Sequence, residues 1–206
     1  MSSPCHEGEV ATQRDDRPIS ESVWVGGTLV FYLPFAVGAL VWIGLVHGPE
    51  TLAERVLGNA PAVDLAMGAA VGLAVAMGTR VLLRTSPLAG RMGASLGRML
   101  GPMSLAGCVA LATCSAVGEE LVFRGALQPE IGVIWATVAF AAVHVPFEPD
   151  MWPWPLFALA VGVLLAGLFE ITGAVVAPVS AHLVINAHNL WLIARRWGAE
   201  PAPEGS

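Results

Sequence analysis

Leu105-Ala106-Gly107-Cys108-Val109-Ala110-Leu111-Ala112-Thr113-Cys114-Ser115-Ala116-Val117-Gly118-Glu119-Glu120 runs from an apolar helix-like stretch straight into two adjacent carboxylates. Leu121-Val122-Phe123-Arg124-Gly125 follows, apolar again but for one arginine. The stretch up to Val117 reads as membrane-buried helix. Ionisable groups inside such a span are costly and rare; they face the bundle interior and suggest a functional site. What surrounds Glu119 and Glu120 therefore decides what this chain does.

Working outward, the composition agrees with a membrane setting. The chain has 206 residues, 55% of them hydrophobic and only 13% charged, and its mean hydropathy is +0.68. A soluble domain of this length is far more polar. Lysine is absent, and no basic face for nucleic acid is present. Cys5, Cys108 and Cys114 fit no metal spacing, and the two within the apolar run read as small fillers. The first 22 residues are polar and acidic. They lack the basic-then-apolar order of a cleavable signal and are expected to form a disordered tail.

The expected fold is an all-α polytopic membrane protein with about six transmembrane helices. A span needs roughly 20 mostly apolar residues. Residues 23–46, 62–83, 103–127, 153–169 and 175–194 meet or approach that length. Residues 132–145 form a shorter sixth stretch stopped by Pro146. Gly68-x-x-x-Gly72 and Gly162-x-x-x-x-Gly167 suggest close helix contacts. With six spans, the N-terminal tail, the 84–102 loop, the 146–152 loop and the C-terminal tail share one side. That side carries Arg14, Arg17, Arg84, Arg91, Arg98, Arg195 and Arg196, with Arg80 at its edge; the other carries Arg55. The positive-inside rule then puts both termini in the cytoplasm and the chain in the cell inner (cytoplasmic) membrane. Arg84, Arg91 and Arg98 recur every seven residues, which predicts a helix lying on the anionic leaflet. Trp152, Trp154, Trp191 and Trp197 read as interface anchors.

Four further polar residues lie in apolar helix: Arg124, His144, His182 and Asn186. With a rise of about 1.5 Å per residue, Glu119 lies about 16 Å from a turn near residue 130, and His144 about 21 Å from it. Measured from a turn near 172 on the same side, His182 lies about 15 Å and Asn186 about 21 Å away. These groups therefore share one depth. His182 and Asn186 are i, i+4 and share a face. Glu120 and Arg124 are also i, i+4, so Arg124 is expected to hold Glu120 and leave Glu119 to act with His144. The helix ending at Pro146 is short, which leaves a dip through which water enters. A carboxylate stripped of solvent becomes a better proton acceptor, and with a histidine it makes a water-activating pair. His182 and Asn186 would donate to a developing oxyanion. Hydrolysis of an acyl bond, most naturally a peptide bond, follows. No Gly-x-Ser-x-Gly nucleophile setting is present at Ser115 or Ser180. The expected cofactor is none. The alternative is one Zn²⁺ held by Glu119, His144 and His182, although the His-Glu-x-x-His signature is missing.

Glu119-Glu120-x-x-x-Arg124, Phe140-x-x-x-His144 and His182-x-x-x-Asn186 resemble the three-motif signature of the CPBP (CAAX protease and bacteriocin-processing) intramembrane proteases, also called Abi or type II CAAX prenyl endopeptidase-like proteins. The resemblance implies a recessed intramembrane site and a catalytic core over residues 103–195. Two accessory spans and a basic loop (23–102) precede that core, and a polar tail (196–206) follows it. It implies Glu119 and His144 as water-activating, His182 and Asn186 as oxyanion-stabilising, and Glu120, Arg124 and Phe140 as supporting residues. The implied partners are membrane lipids and a hydrophobic or lipidated protein or peptide cleaved near its C-terminus. The competing readings are a non-catalytic bacteriocin-immunity or scaffold protein and a proton-coupled transporter. Transport is opposed by the lack of an inverted repeat and by the single level of the polar cluster.

Overall fold

The structure, a computed structural model, describes residues 19–146 and 148–199. The expected disordered tail lies almost wholly outside them. Its last two residues, Glu21 and Ser22, instead open the first helix.

Among the described residues every regular element is helical. Helix α1 spans Glu21–His47, a short α2 Leu52–Leu57, and α3 Pro61–Thr85. Helix α4 spans Pro87–Leu100, and α5 spans Leu105–Glu120. A π-helical segment, Leu121–Leu127, leads into α6, Gln128–Ala142. Helices α7, Pro153–Thr172, and α8, Val176–Trp197, complete the bundle. The surface is apolar: Leu45 is 81% exposed, Ile171 76% and Ile134 74%. A surface of that kind is stable only against lipid.

Among the described residues, five segments can cross a membrane by length and composition: Glu21–His47, Pro61–Thr85, Leu105–Ala142, Pro149–Thr172 and Val176–Trp197. The sixth expected span is the return arm of the third segment. That segment folds back at Gly132, whose φ of 80° and ψ of 163° break the helix. The rings of Phe123 and Phe140 are 5.2 Å apart, whereas a straight helix would separate these residues by about 25 Å. Only glycine adopts such a φ without strain. After Gly132 the helical arm is about 15 Å long, half of the roughly 30 Å hydrocarbon layer.

The segments expected on one side do meet at one end. Glu21 accepts from the Ser104 amide and hydroxyl, both at 2.7 Å. Arg91 lies 4.0 Å from Asp150, and Arg196 donates to the Leu83 carbonyl at 3.3 Å. At the opposite end the Val175 amide donates to the Arg55 carbonyl at 2.9 Å, and His47 pairs with Glu130 at 3.0 Å. The 84–102 loop is helical as expected, but Arg84 ends α3 and does not share the α4 face with Arg91 and Arg98. The α4 face bearing Ala89, Gly93, Gly97 and Leu100 is buried. Gly93 and Gly97 press on Trp197. Trp197 is therefore packed inside, at 8% exposure, and is not an interface anchor; Trp152 remains 59% exposed.

Helix α8 runs along α3 in the closest contact of the bundle. A Cβ on Gly68 would lie 2.1 Å from the Ala177 carbonyl oxygen, and one on Gly72 2.6 Å from that of Ala181. Small residues let the backbones meet, as the Gly68-x-x-x-Gly72 spacing suggests. Ser180 donates to the Leu65 carbonyl at 2.9 Å, so its hydroxyl serves this seam. Gly162 is likewise tight, while Gly167 has no neighbour within 4 Å. Gly72→Val should separate α3 from α8 and cost about 1–3 kcal/mol, read as a lower unfolding temperature in detergent. Gly167→Val should leave that temperature unchanged.

Candidate active site

The end of α5 brings Glu119 and Glu120 to mid-bundle. The wider π turn that follows carries Arg124 back beneath Glu120; single π turns are frequent at functional sites. Arg124 donates to Glu120 Oε1 at 3.2 Å and to the Gly162 carbonyl of α7 at 3.1 Å. Its guanidinium stacks 4.3 Å from the Phe140 ring centroid. Glu120 is 0% exposed and Arg124 1%. A buried carboxylate without its cation would be very costly, so the two stand or fall together. The i, i+4 pairing expected of them is present.

His182 Nδ1 lies 2.7 Å from the same Glu120 Oε1. With Nδ1 donating to that carboxylate, Nε2 turns to the cavity: an acceptor in neutral imidazole, a donor in imidazolium. His144 Nδ1 lies 2.7 Å from the Phe140 carbonyl. A carbonyl only accepts, so Nδ1 carries the proton and the lone pair of neutral His144 is on Nε2. Phe140 thus contributes its ring beneath Arg124 and its carbonyl to His144.

Both Nε2 atoms converge on one oxygen. Glu119 Oε2 lies 3.8 Å from His144 Nε2 and 3.9 Å from His182 Nε2. It is buried and has no hydrogen-bond partner. These gaps exceed direct hydrogen bonds and suit a small polar molecule held between the groups. Asn186 donates to Ser115 Oγ at 3.1 Å, and Ser115 donates to the Ala112 carbonyl at 3.2 Å. Ser115 is thereby tied into the wall of the site.

The groups line a cavity of about 660 Å³. From the level of Glu119 its walls continue through Trp24, Met99, Pro146 and Met151, toward the end where the arginine-bearing segments meet. The short return arm forms part of its rim through Val145 and Pro146. Trp154, expected to anchor at the interface, lines the cavity and lies 5.8 Å from His144, ring to ring.

A two-His, one-carboxylate metal set would use these same three groups. Among the described residues no three His, Cys, Asp or Glu side chains are grouped closely enough to hold a metal ion.

Sequence reasoning missed Tyr32. Its hydroxyl donates to Glu119 Oε1 at 2.5 Å, across 87 residues of chain. It is the chain's single tyrosine, and it sits in the middle of α1, away from the interfaces that tyrosine favours. That misplacement was a readable signal.

Residues 101–188 match the Rce1-like type II CAAX prenyl endopeptidase family. This is the family that the three motifs resemble, and all seven motif residues fall in the matched segment. The chain is also similar to the uncharacterized protein YpbD of Bacillus subtilis (strain 168), 39% identical over 74 residues. That similarity covers 35% of this chain and 38% of the length of YpbD. No solved structure matches the chain.

Arg124→Ala should unpair Glu120 and destabilise the fold by about 3–5 kcal/mol. Thermal unfolding in detergent would register this, and Arg124→Lys should recover only part of it because lysine lacks the planar fork that reaches both Glu120 and Gly162.

Proposed function

We propose that this chain is an intramembrane endopeptidase in which Glu119 and His144 activate water for attack on a peptide bond. The observation that carries the reading is the approach of His144 Nε2 and His182 Nε2 to the unpartnered Glu119 Oε2, at 3.8 and 3.9 Å. A water there would reach Glu119 Oε2 as acceptor of its proton and His144 Nε2 as a second partner. As its oxygen adds to the carbonyl carbon, negative charge develops on the carbonyl oxygen. His182, as imidazolium, and the Asn186 amide are the donors for that charge. The proton taken by the base then passes to the leaving amine. Glu120 and Arg124 orient His182 without touching substrate.

The cavity favours a substrate that is itself membrane-anchored. Its walls are mostly apolar, and its volume of about 660 Å³ far exceeds that of one water. We take the substrate to be a hydrophobic or lipidated protein or peptide cut near its C-terminus. The arginine-rich end would face the cytoplasm, so the cavity would open to that side. The reading needs no metal; Zn²⁺ on Glu119, His144 and His182 is the alternative.

The test uses the full chain reconstituted in lipid vesicles with two fluorogenic peptide series, one prenylated near the C-terminus and one carrying an unmodified apolar tail. Wild type should cleave at least one series. Glu119→Gln and His144→Ala should each lower the rate by about 10²–10⁴-fold, and His182→Ala by about 10²–10³-fold. Full activity in Glu119→Gln would refute the assignment. A chelator that abolishes cleavage, with recovery on added Zn²⁺, would replace the metal-free version.

A further inference from the structure

Helix α1 was expected to belong to the accessory part of the chain. One stripe faces the bundle: Trp24, Thr28, Tyr32, Ala36, Ala39 and Ile43 are buried or half-buried, and most side chains around them are exposed. The stripe repeats every three to four residues, the spacing of one helix face. Ala39 and Ile43 belong to an apolar cluster with Leu121, Ala126, Phe169 and Val175. Tyr32 stands one level above them and brings a hydroxyl to the site.

We propose that Tyr32 is a positioning residue for the reaction, setting which oxygen of Glu119 faces the attacking water. The inference rests on the proposed hydrolytic reading of the site. Its geometric basis is independent of it. A carboxylate free to rotate about its last bond presents either oxygen to the cavity. Here the Tyr32 hydroxyl donates to Oε1 at 2.5 Å, and Oε2 alone is left toward His144 and His182. Donation to an ionised acceptor is among the stronger hydrogen bonds, so the rotamer is held.

The packing around Tyr32 is built for this contact. A Cβ on Gly118, the residue before Glu119, would lie 2.6 Å from Tyr32 Cδ1 and 3.0 Å from its Cβ. The ring reaches the carboxylate only because position 118 has no side chain. Phe31 closes over the ring edge-on, 5.0 Å between centroids. A tyrosine serving only to dock α1 would need no carboxylate partner; it would also need no bare backbone beside that carboxylate. The arrangement makes α1 part of the reacting site and adds a fourth chain segment to those the motifs name.

Two measurements test the proposal on the full chain in vesicles. Tyr32→Phe removes only the hydroxyl and retains the ring against Gly118. It should lower kcat about 10- to 100-fold, the effect of losing one hydrogen bond to a charged group, with KM within about twofold. The unfolding temperature should stay near that of wild type, which separates this loss from a loss of docking. Because the chain has a single tyrosine, biosynthetic 3-fluorotyrosine labels position 32 alone. Its ¹⁹F resonance should move in Glu119→Gln and stay in place in Gly167→Ala. A resonance indifferent to Glu119→Gln overturns the proposal, as does a Tyr32→Phe enzyme within threefold of wild type while Glu119→Gln is inactive. If Glu119→Gln cleaves normally, the hydrolytic reading itself fails and the positioning role falls with it; the ¹⁹F shift would then report only a structural pair.

Discussion

One buried ion pair organises this bundle. Glu120 and Arg124 carry opposite charges where neither reaches solvent, and they meet through Glu120 Oε1, while Glu120 Oε2 has no hydrogen-bond partner. Everything near the site hangs from that pair. Arg124 reaches α7 through Gly162 and stacks on Phe140 of the return arm. Glu120 reaches α8 through His182. A single carboxylate oxygen thus ties together helices that the hydrophobic effect cannot hold apart from lipid, since lipid is as apolar as their cores. Within a bilayer, small-residue contacts and polar links do that work. Both are present, the first along α3 and α8 and the second at Glu120.

The pair also sorts the neighbouring groups by role. Glu120 is enclosed by Arg124 and His182, so it has no approach to a ligand. Glu119, one residue earlier and about 100° round the helix, looks into the cavity. Each imidazole has its Nδ1 occupied, one by a carboxylate and one by a carbonyl. Both therefore show Nε2 to the same oxygen. Orientation of this kind comes from the partners behind the imidazoles, as it does when the far nitrogen of a metal-bound histidine is fixed by its outer partner.

Much of this was legible in the chain because it depends on short spacings. The i, i+4 relation of Glu120 and Arg124, the common depth of Glu119, His144 and His182, and the bare stripe at Gly68 and Gly72 all follow from helix geometry alone. The features that escaped depend on other things. The turn near residue 130 was expected from the break between two apolar stretches, but its exact place at Gly132 was not, because it needs a backbone angle that a glycine permits but does not announce. Trp197 was read from its chemistry as an anchor, yet Gly93 and Gly97 of α4 open a slot for it. Tyr32 meets Glu119 across 87 residues, and only the docking of α1 creates that contact. The π turn after Glu120 has no sequence signature that spacing reveals.

The interior of the site has a further property that follows from its inventory of groups. Two carboxylates, Glu119 and Glu120, share the site with one guanidinium, Arg124, beside Glu120, and two imidazoles, His182 between the acids and His144 beside Glu119. If both acids are ionised and both imidazoles neutral, the cluster carries one net negative charge. A low-dielectric layer tolerates that poorly. One added proton restores electroneutrality. The proposed hydrolysis would move one proton from water to base to leaving amine and return the cluster to its starting charge. The proton such a cycle would pass along is the one the water brings, and the one that lets the resting bundle sit uncharged in the membrane would stay behind.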